Sequence, residues 1–183
     1  MTLWFEDIDL VTVWPLGEYT FTEEEIIRFA KRYDPQYFHI DPEAAKHSHF
    51  GGIIASGWHT VSIGHKVMVD FMYAHDAEQR ERGEEPGVSG PSPGVNKMEF
   101  KAPVRAGDTI RFDLSVKDKR KSNSLPGWGV LTSIIEAYNQ QDELVYRSEI
   151  ASFSKLRDYK PTLKERALLA MAAMPVFKKL LRK

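Results

Sequence analysis

The chain has 183 residues, 28% of them charged and 42% hydrophobic, with a formal net charge of −1, a length that suits one domain and a charge balance that gives no footing for nucleic acid. Cysteine is absent, which excludes disulfides, thiolate catalysis and cysteine-ligated metal clusters. No stretch approaches the ~18 apolar residues of a membrane span and the N-terminus lacks a signal-peptide pattern, so a soluble, cytoplasmic protein with no integral membrane segment is expected.

Residues 4 to 21 hold Trp4, Phe5, Trp14 and Tyr19 broken by Pro15 and Gly17, and read as an irregular arm with one short strand at 17 to 21. Thr22 with Glu25 three residues on is a capping-box pattern, and Ile26, Ile27, Phe29, Ala30 and Tyr33 follow at helical spacing. That helix should stop at Asp34, because the residue before Pro35 is pushed out of the helical region. Asp41-Pro42 repeats the start signal for a short turn through Lys46.

From about Ser56 to Asp76, the residues Trp58, Val61, Ile63, Val67, Met68, Phe71 and Met72 are spread too evenly for a one-sided surface helix, which predicts a helix buried on most sides. Ala77 to Gly94 is expected to be a long loop. The period then changes to two: Ile110, Phe112, Leu114 and Val116 alternate with Arg111, Asp113, Ser115 and Lys117, predicting a strand with one wet face. Further strands are expected near 95 to 102, 127 to 138 and 143 to 156, separated by turns at Ala106-Gly107-Asp108, Pro126-Gly127 and Asn139 to Asp142. Neighbours joined so closely should be antiparallel, giving an α+β chain in which a sheet wraps a helix.

Beyond Asp158 the composition shifts. Seven basic residues stand against Glu165 alone, with Leu163, Leu168, Met171, Leu180 and Leu181 able to form an apolar side, so residues 159–183 read as a basic C-terminal helical tail. A helix packed on its own subunit is the plain reading, and a peripheral membrane or partner contact the alternative.

The residues with chemical potential gather between Tyr33 and Thr60. Asp34 and His39 lie five apart across a proline-forced bend and could serve as an acid/base pair, while Phe50-Gly51-Gly52-Ile53-Ile54-Ala55-Ser56-Gly57 leads into the long helix with small residues that admit a ligand close to the backbone. On pattern alone, Asp34 could equally end the helix in an Asx turn, His39 could be a satisfied core histidine, and Gly57 could serve helix packing. His47 and His49 do not share a helix face, and no metal site is expected. Lys117, Lys119, Arg120 and Lys121 read as a solvated hairpin, with contact to a phosphate group as the alternative.

Taken together, Phe5-Glu6-Asp7, Phe29-Ala30-x-x-Tyr33-Asp34-Pro35-Gln36-x-Phe38-His39-x-Asp41, Phe50 to Thr60, Pro93-Gly94-Val95, Pro103 to Thr109, Ser122-x-Ser124-x-Pro126-Gly127-x-Gly129 and Asn139-Gln140 resemble the MaoC-like dehydratases, which include the (R)-specific enoyl-CoA hydratases. The resemblance covers roughly residues 4 to 157. It implies a single hotdog fold over residues 1–158, an antiparallel sheet wrapped around a long central α-helix. It also implies a homodimer or dimer of dimers with active sites near the interface, and an acyl-CoA or acyl-carrier thioester as substrate.

The family's Asp-x-Asn-Pro-x-His motif places its catalytic pair on Asp34 and His39. Its backbone N–H donor falls on Gly57, with Ser56, Gln36 and Trp58 beside it as substrate-binding residues. Here Gln36 stands at the asparagine position and the proline lies next to Asp34. The implied reaction is reversible hydration of a trans-2-enoyl thioester without metal, flavin or nicotinamide. A hotdog thioesterase would be expected to carry a carboxylate on the buried helix, and Trp58 to Val69 has none. A non-catalytic acyl-binding or heterodimerising subunit is the remaining alternative.

Overall fold

The computed structural model describes residues 2–163 and 166. In chain order, a 3-10 turn at Phe5–Asp7 leads to β1 (Val13–Thr20), α1 (Glu23–Tyr33), the short helices α2 (Tyr37–Ile40) and α3 (Pro42–Lys46), and the long α4 (Gly57–Glu81). Then follow β2 (Gly94–Phe100), β3 (Thr109–Lys121), β4 (Trp128–Tyr138) and β5 (Leu144–Lys155). Most of the basic tail lies outside the described residues.

Local signals set most element boundaries. The Thr22 side chain accepts from the Glu25 N–H and starts α1, Pro35 stops it with Asp34 as C-cap, and Asp41 caps α3 through the amides of Glu43 and Ala44. Gly107 and Gly127 sit at positive φ (90° and 79°) in the turns where they were expected, a conformation glycine adopts without a Cβ penalty. Three expectations change. β1 begins at Val13 and accommodates Pro15 because it is an edge strand with a bulge between Pro15 and Gly17. α4 runs a further turn past Asp76, so the loop expected from Ala77 shortens. The α2 turn was not anticipated, since four residues are too few to show a period.

The sheet is fully antiparallel in the order β1-β3-β4-β5-β2. β3, β4 and β5 form the expected meander, but β2 does not pair with its sequence neighbour β3. It crosses to the far edge beside β5, and β1 takes the place next to β3.

The concave face supplies the core. Ile110 and Phe112 are fully buried, with Ile135, Ala137, Val145 and Tyr146 around them, and α4 lies against this face. Gly64 allows the approach: a Cβ there would stand 2.9 Å from the Phe112 ring. α1 packs on α4 through Phe29, whose ring stacks on buried His59 at 4.5 Å. Burial holds that imidazole below its ordinary pKa and therefore neutral. The convex face is wet, with Arg147–Glu136 and Lys117–Glu149 ion pairs.

In the single chain α4 is not enclosed on most sides as expected: Trp58 and Tyr73 are 59% and 72% exposed. The sheet of one chain wraps only one side of it, which is why the apolar residues go all round this helix yet many are only partly covered.

Candidate active site

Asp34 lies where α1 ends. Its φ of −152° takes the chain out of the helix, and Pro35 and Gln36 carry it into the single turn of α2, with Gln36 N–H donating to Asp34 O at 2.8 Å and His39 N–H to Gln36 O at 2.9 Å. This bend brings the side chains of Asp34 and His39 onto one side. The chain then returns through Ile54, whose N–H bonds Phe38 O, and Ala55, whose N–H bonds Val104 O at 2.8 Å, before α4 begins.

His39 is 5% exposed. Its Nδ1 lies 2.8 Å from the Ile54 carbonyl, which can only accept, so Nδ1 carries a hydrogen and Nε2 is the ring nitrogen turned toward the site. Nε2 in turn lies 3.5 Å from Asp34 Oδ2. That carboxylate oxygen accepts from the Ser56 hydroxyl at 2.7 Å, and Oδ1 accepts from Gln36 Nε2 at 3.2 Å. Burial pushes the Asp34 carboxyl up, but the Ser56 and Gln36 hydrogen bonds and the facing His39 outweigh it and hold the group below the usual carboxylate range. With its folded pKa depressed, Asp34 contributes stability that is complete above the ordinary value of ~3.9 and lost as pH falls through the lower folded value.

Ser56 works in two directions. Fully buried, it is the N-cap of α4, accepting from the Trp58 N–H at 3.2 Å while donating to Asp34. It therefore fixes the start of the long helix to the end of the short one. Replacing Ser56 with alanine should cost about 0.5–2 kcal/mol of stability through the lost cap. It should also move the Asp34 pKa upward, which a carboxyl NMR titration would read; an unmoved titration would show that the hydroxyl does not hold the anion.

Gly57 opens α4, so its N–H is one of the first-turn amides that have no intrahelical acceptor, at the positive end of a 25-residue helix. The ring of Phe100 lies on its Cα, and a Cβ would stand 2.6 Å from Phe100 Cζ. The missing side chain thus has a packing reason, one that the sequence signal did not connect to Phe100. Trp58 projects outward beside it, exposed. The structure therefore brings Asp34, His39, Gln36, Ser56 and Gly57 to one place and leaves Trp58 at the margin.

Other candidates have local roles. His47 is the C-cap of α3, and the ring of His49 lies 3.7 Å from that of Phe50. Lys119 does not extend from the hairpin into solvent: its Nζ donates to the carbonyls of Phe5 and Glu6 at 3.1 and 3.3 Å and to that of Ile8. Lys117 pairs with Glu149 at 3.1 Å. Among the described residues no helix is long and apolar enough to cross a membrane.

The family profile described as MaoC like domain matches residues 15–126. An uncharacterized protein of Bacillus subtilis, YdeM, is 34% identical over 136 residues, covering 73% of this chain and 86% of that protein. The crystal structure of a MaoC-like dehydratase from Rhodospirillum rubrum superposes with a TM-score of 0.68 at 27% identity, covering 87% of this chain and 99% of that one. An (R)-hydratase from A. caviae, involved in PHA biosynthesis, shares the fold with a TM-score of 0.54 at 18% identity over 83% of this chain and 99% of its own. With most of the chain matched by profile, sequence relative and hotdog structures, this protein belongs to the MaoC-like domain family.

Proposed function

We propose that this protein is a hydro-lyase that reversibly adds water to a trans-2-enoyl thioester, carried by CoA or an acyl carrier, with Asp34 and His39 as the acid/base pair. The observation that carries the reading is the buried His39 held by the Ile54 carbonyl with its Nε2 toward Asp34, next to the N-terminus of α4. An imidazole is suited to take a proton from water because histidine titrates near neutral pH. A water lying beside the pair, within reach of both Nε2 and Asp34 Oδ2, is polarised by both; as its oxygen attacks C3, neutral His39 takes the proton at Nε2 and the π electrons move onto the thioester oxygen. The Gly57 N–H and the helix dipole stabilise that enolate, a contribution of roughly 3–4 kcal/mol for such a donor. The proton held on His39 then passes by way of the Asp34 carboxylate to C2 as the enolate collapses, which completes the hydroxyacyl thioester and returns both side chains to their starting state.

The same reading includes a second copy of the chain. β2 is a free sheet edge, and Val95, Phe100, Trp58 and Tyr73 are exposed large side chains on β2 and α4. Pairing of β2 edges in a homodimer would cover an otherwise open ladder and the uncovered side of α4. No carboxylate of α4 approaches the site in its first three turns, which disfavours thioester hydrolysis.

The test is the loss of enoyl-thioester absorbance when purified protein is added to a panel of trans-2-enoyl-CoA compounds. Hydration of at least one is expected; release of free CoA instead, seen with a thiol reagent, would replace this reading with a thioesterase, and inactivity alone but activity with a second hotdog chain would replace it with a subunit role.

A further inference from the structure

Between α4 and the concave face of the sheet lies a cavity of about 450 Å³, walled mainly by apolar side chains. One end is near the site. Val61 lies one turn after Gly57, and Tyr146 stacks at 5.8 Å on Phe100, whose ring covers Gly57. The opposite end is reached by following β5 from Tyr146 to Ser154, where Leu3, Ile8 and Trp14 form the wall.

The wall at that end is built from the N-terminal arm, and the arm is fastened. The Thr2 N–H donates to Asp76 Oδ1 of α4 at 2.6 Å, and Thr2 O accepts from the Gly87 N–H at 2.7 Å. Leu3 O accepts from the Ser154 hydroxyl at 3.0 Å. The Phe5 ring fills the space over Gly129, where a Cβ would stand only 2.0 Å away. Lys119 ties together the carbonyls of Phe5, Glu6 and Ile8. Bonds to α4, β3, β5 and the loop after α4 make residues 2–8 a fixed floor.

We propose that this arm is the chain-length gauge of the site: Leu3 and Ile8 end the space open to the acyl group, so their size decides the longest chain accepted. The inference rests on the thioester reading above. Along α4 the cavity extends from Val61 to Met72, about 16 Å at 1.5 Å per residue. An extended chain advances about 1.2 Å per bond, so roughly a dozen bonds fit before the arm is met.

The experiment is calorimetric titration of the full-length protein with saturated butanoyl-, octanoyl-, dodecanoyl- and hexadecanoyl-CoA, alongside the hydration assay. In the unaltered protein, affinity is expected to rise with length and to stop rising near a dozen carbons. Leu3→Ala and Ile8→Ala should each move that limit upward by two or more carbons and change butanoyl-CoA affinity less than twofold. Leu3→Trp should weaken dodecanoyl-CoA at least tenfold.

Leu3 is only partly buried, so if Ile8→Ala does not fold, as judged by its urea transition, the Leu3 pair carries the same test. A length profile unmoved by folded arm variants overturns this inference and leaves hydration standing. A length limit that moves with the arm in a protein that hydrates no enoyl-CoA supports the gauge and overturns the hydratase reading. Failure to bind any acyl-CoA overturns both.

Discussion

His39→Ala is expected to lower kcat/KM for enoyl-thioester hydration by about 10²–10⁴, the usual contribution of a positioned acid/base group. The loss comes from removing the Nε2 that faces Asp34 at 3.5 Å. It also leaves the Ile54 carbonyl without its partner, at a cost of about 1–3 kcal/mol, so rates must be compared well below the variant's own unfolding transition. Asp34→Asn separates the two effects. An amide keeps the shape, and with its oxygen at the Oδ2 position it can still accept from the Ser56 hydroxyl, but it cannot relay a proton. A fall of similar size with an almost unchanged urea midpoint is expected for Asp34→Asn. Full activity in either variant would remove the pair from the mechanism.

Phe112→Ala should be the most destabilising single change considered, at about 3–5 kcal/mol for a buried aromatic truncated to alanine. Phe112 is fully buried on β3, and its ring is what α4 rests on at Gly64. Against a total stability of about 5–15 kcal/mol, the loss is a large fraction of what holds the fold. The measurement is a urea unfolding curve, in which the midpoint should drop with an unchanged slope. A shift under 1 kcal/mol would mean that α4 is held chiefly by other contacts. Because α4 carries Ser56 and Gly57 at its start, enzymatic activity should be lost together with the fold in this variant, unlike in His39→Ala.

The legible parts of this molecule were those written in short-range chemistry. Thr22 with Glu25, the Asp34-Pro35 stop, Asp41-Pro42 and the alternation of Ile110 to Val116 each act within a few residues, and each produced the element expected of it. Between Tyr33 and Thr60 the spacing of Asp34 and His39 pointed to a shared location because a proline bend can only carry five residues a short way. The strand order was less legible. Nothing local in 94 to 100 states that this strand will pass over its neighbour and pair with β5, since the partner is chosen by which edge remains open after β3, β4 and β5 have joined.

Sequence alone determined the residue types at the site, the bend that joins Asp34 to His39, and the fold family through several ordered blocks. Only the tertiary structure decided that Ser56 would be used for capping α4 and holding the Asp34 carboxylate, that the Ile54 carbonyl would hold the His39 ring through Nδ1, and that Phe100 would cover Gly57. It also decided that Lys119 would fasten the N-terminal arm instead of facing solvent. The physical reason is range: caps and turns are fixed by neighbours in the chain, whereas a hydrogen bond between residues 22 apart, or a lysine reaching carbonyls more than 100 positions away, exists only once the core has brought them together.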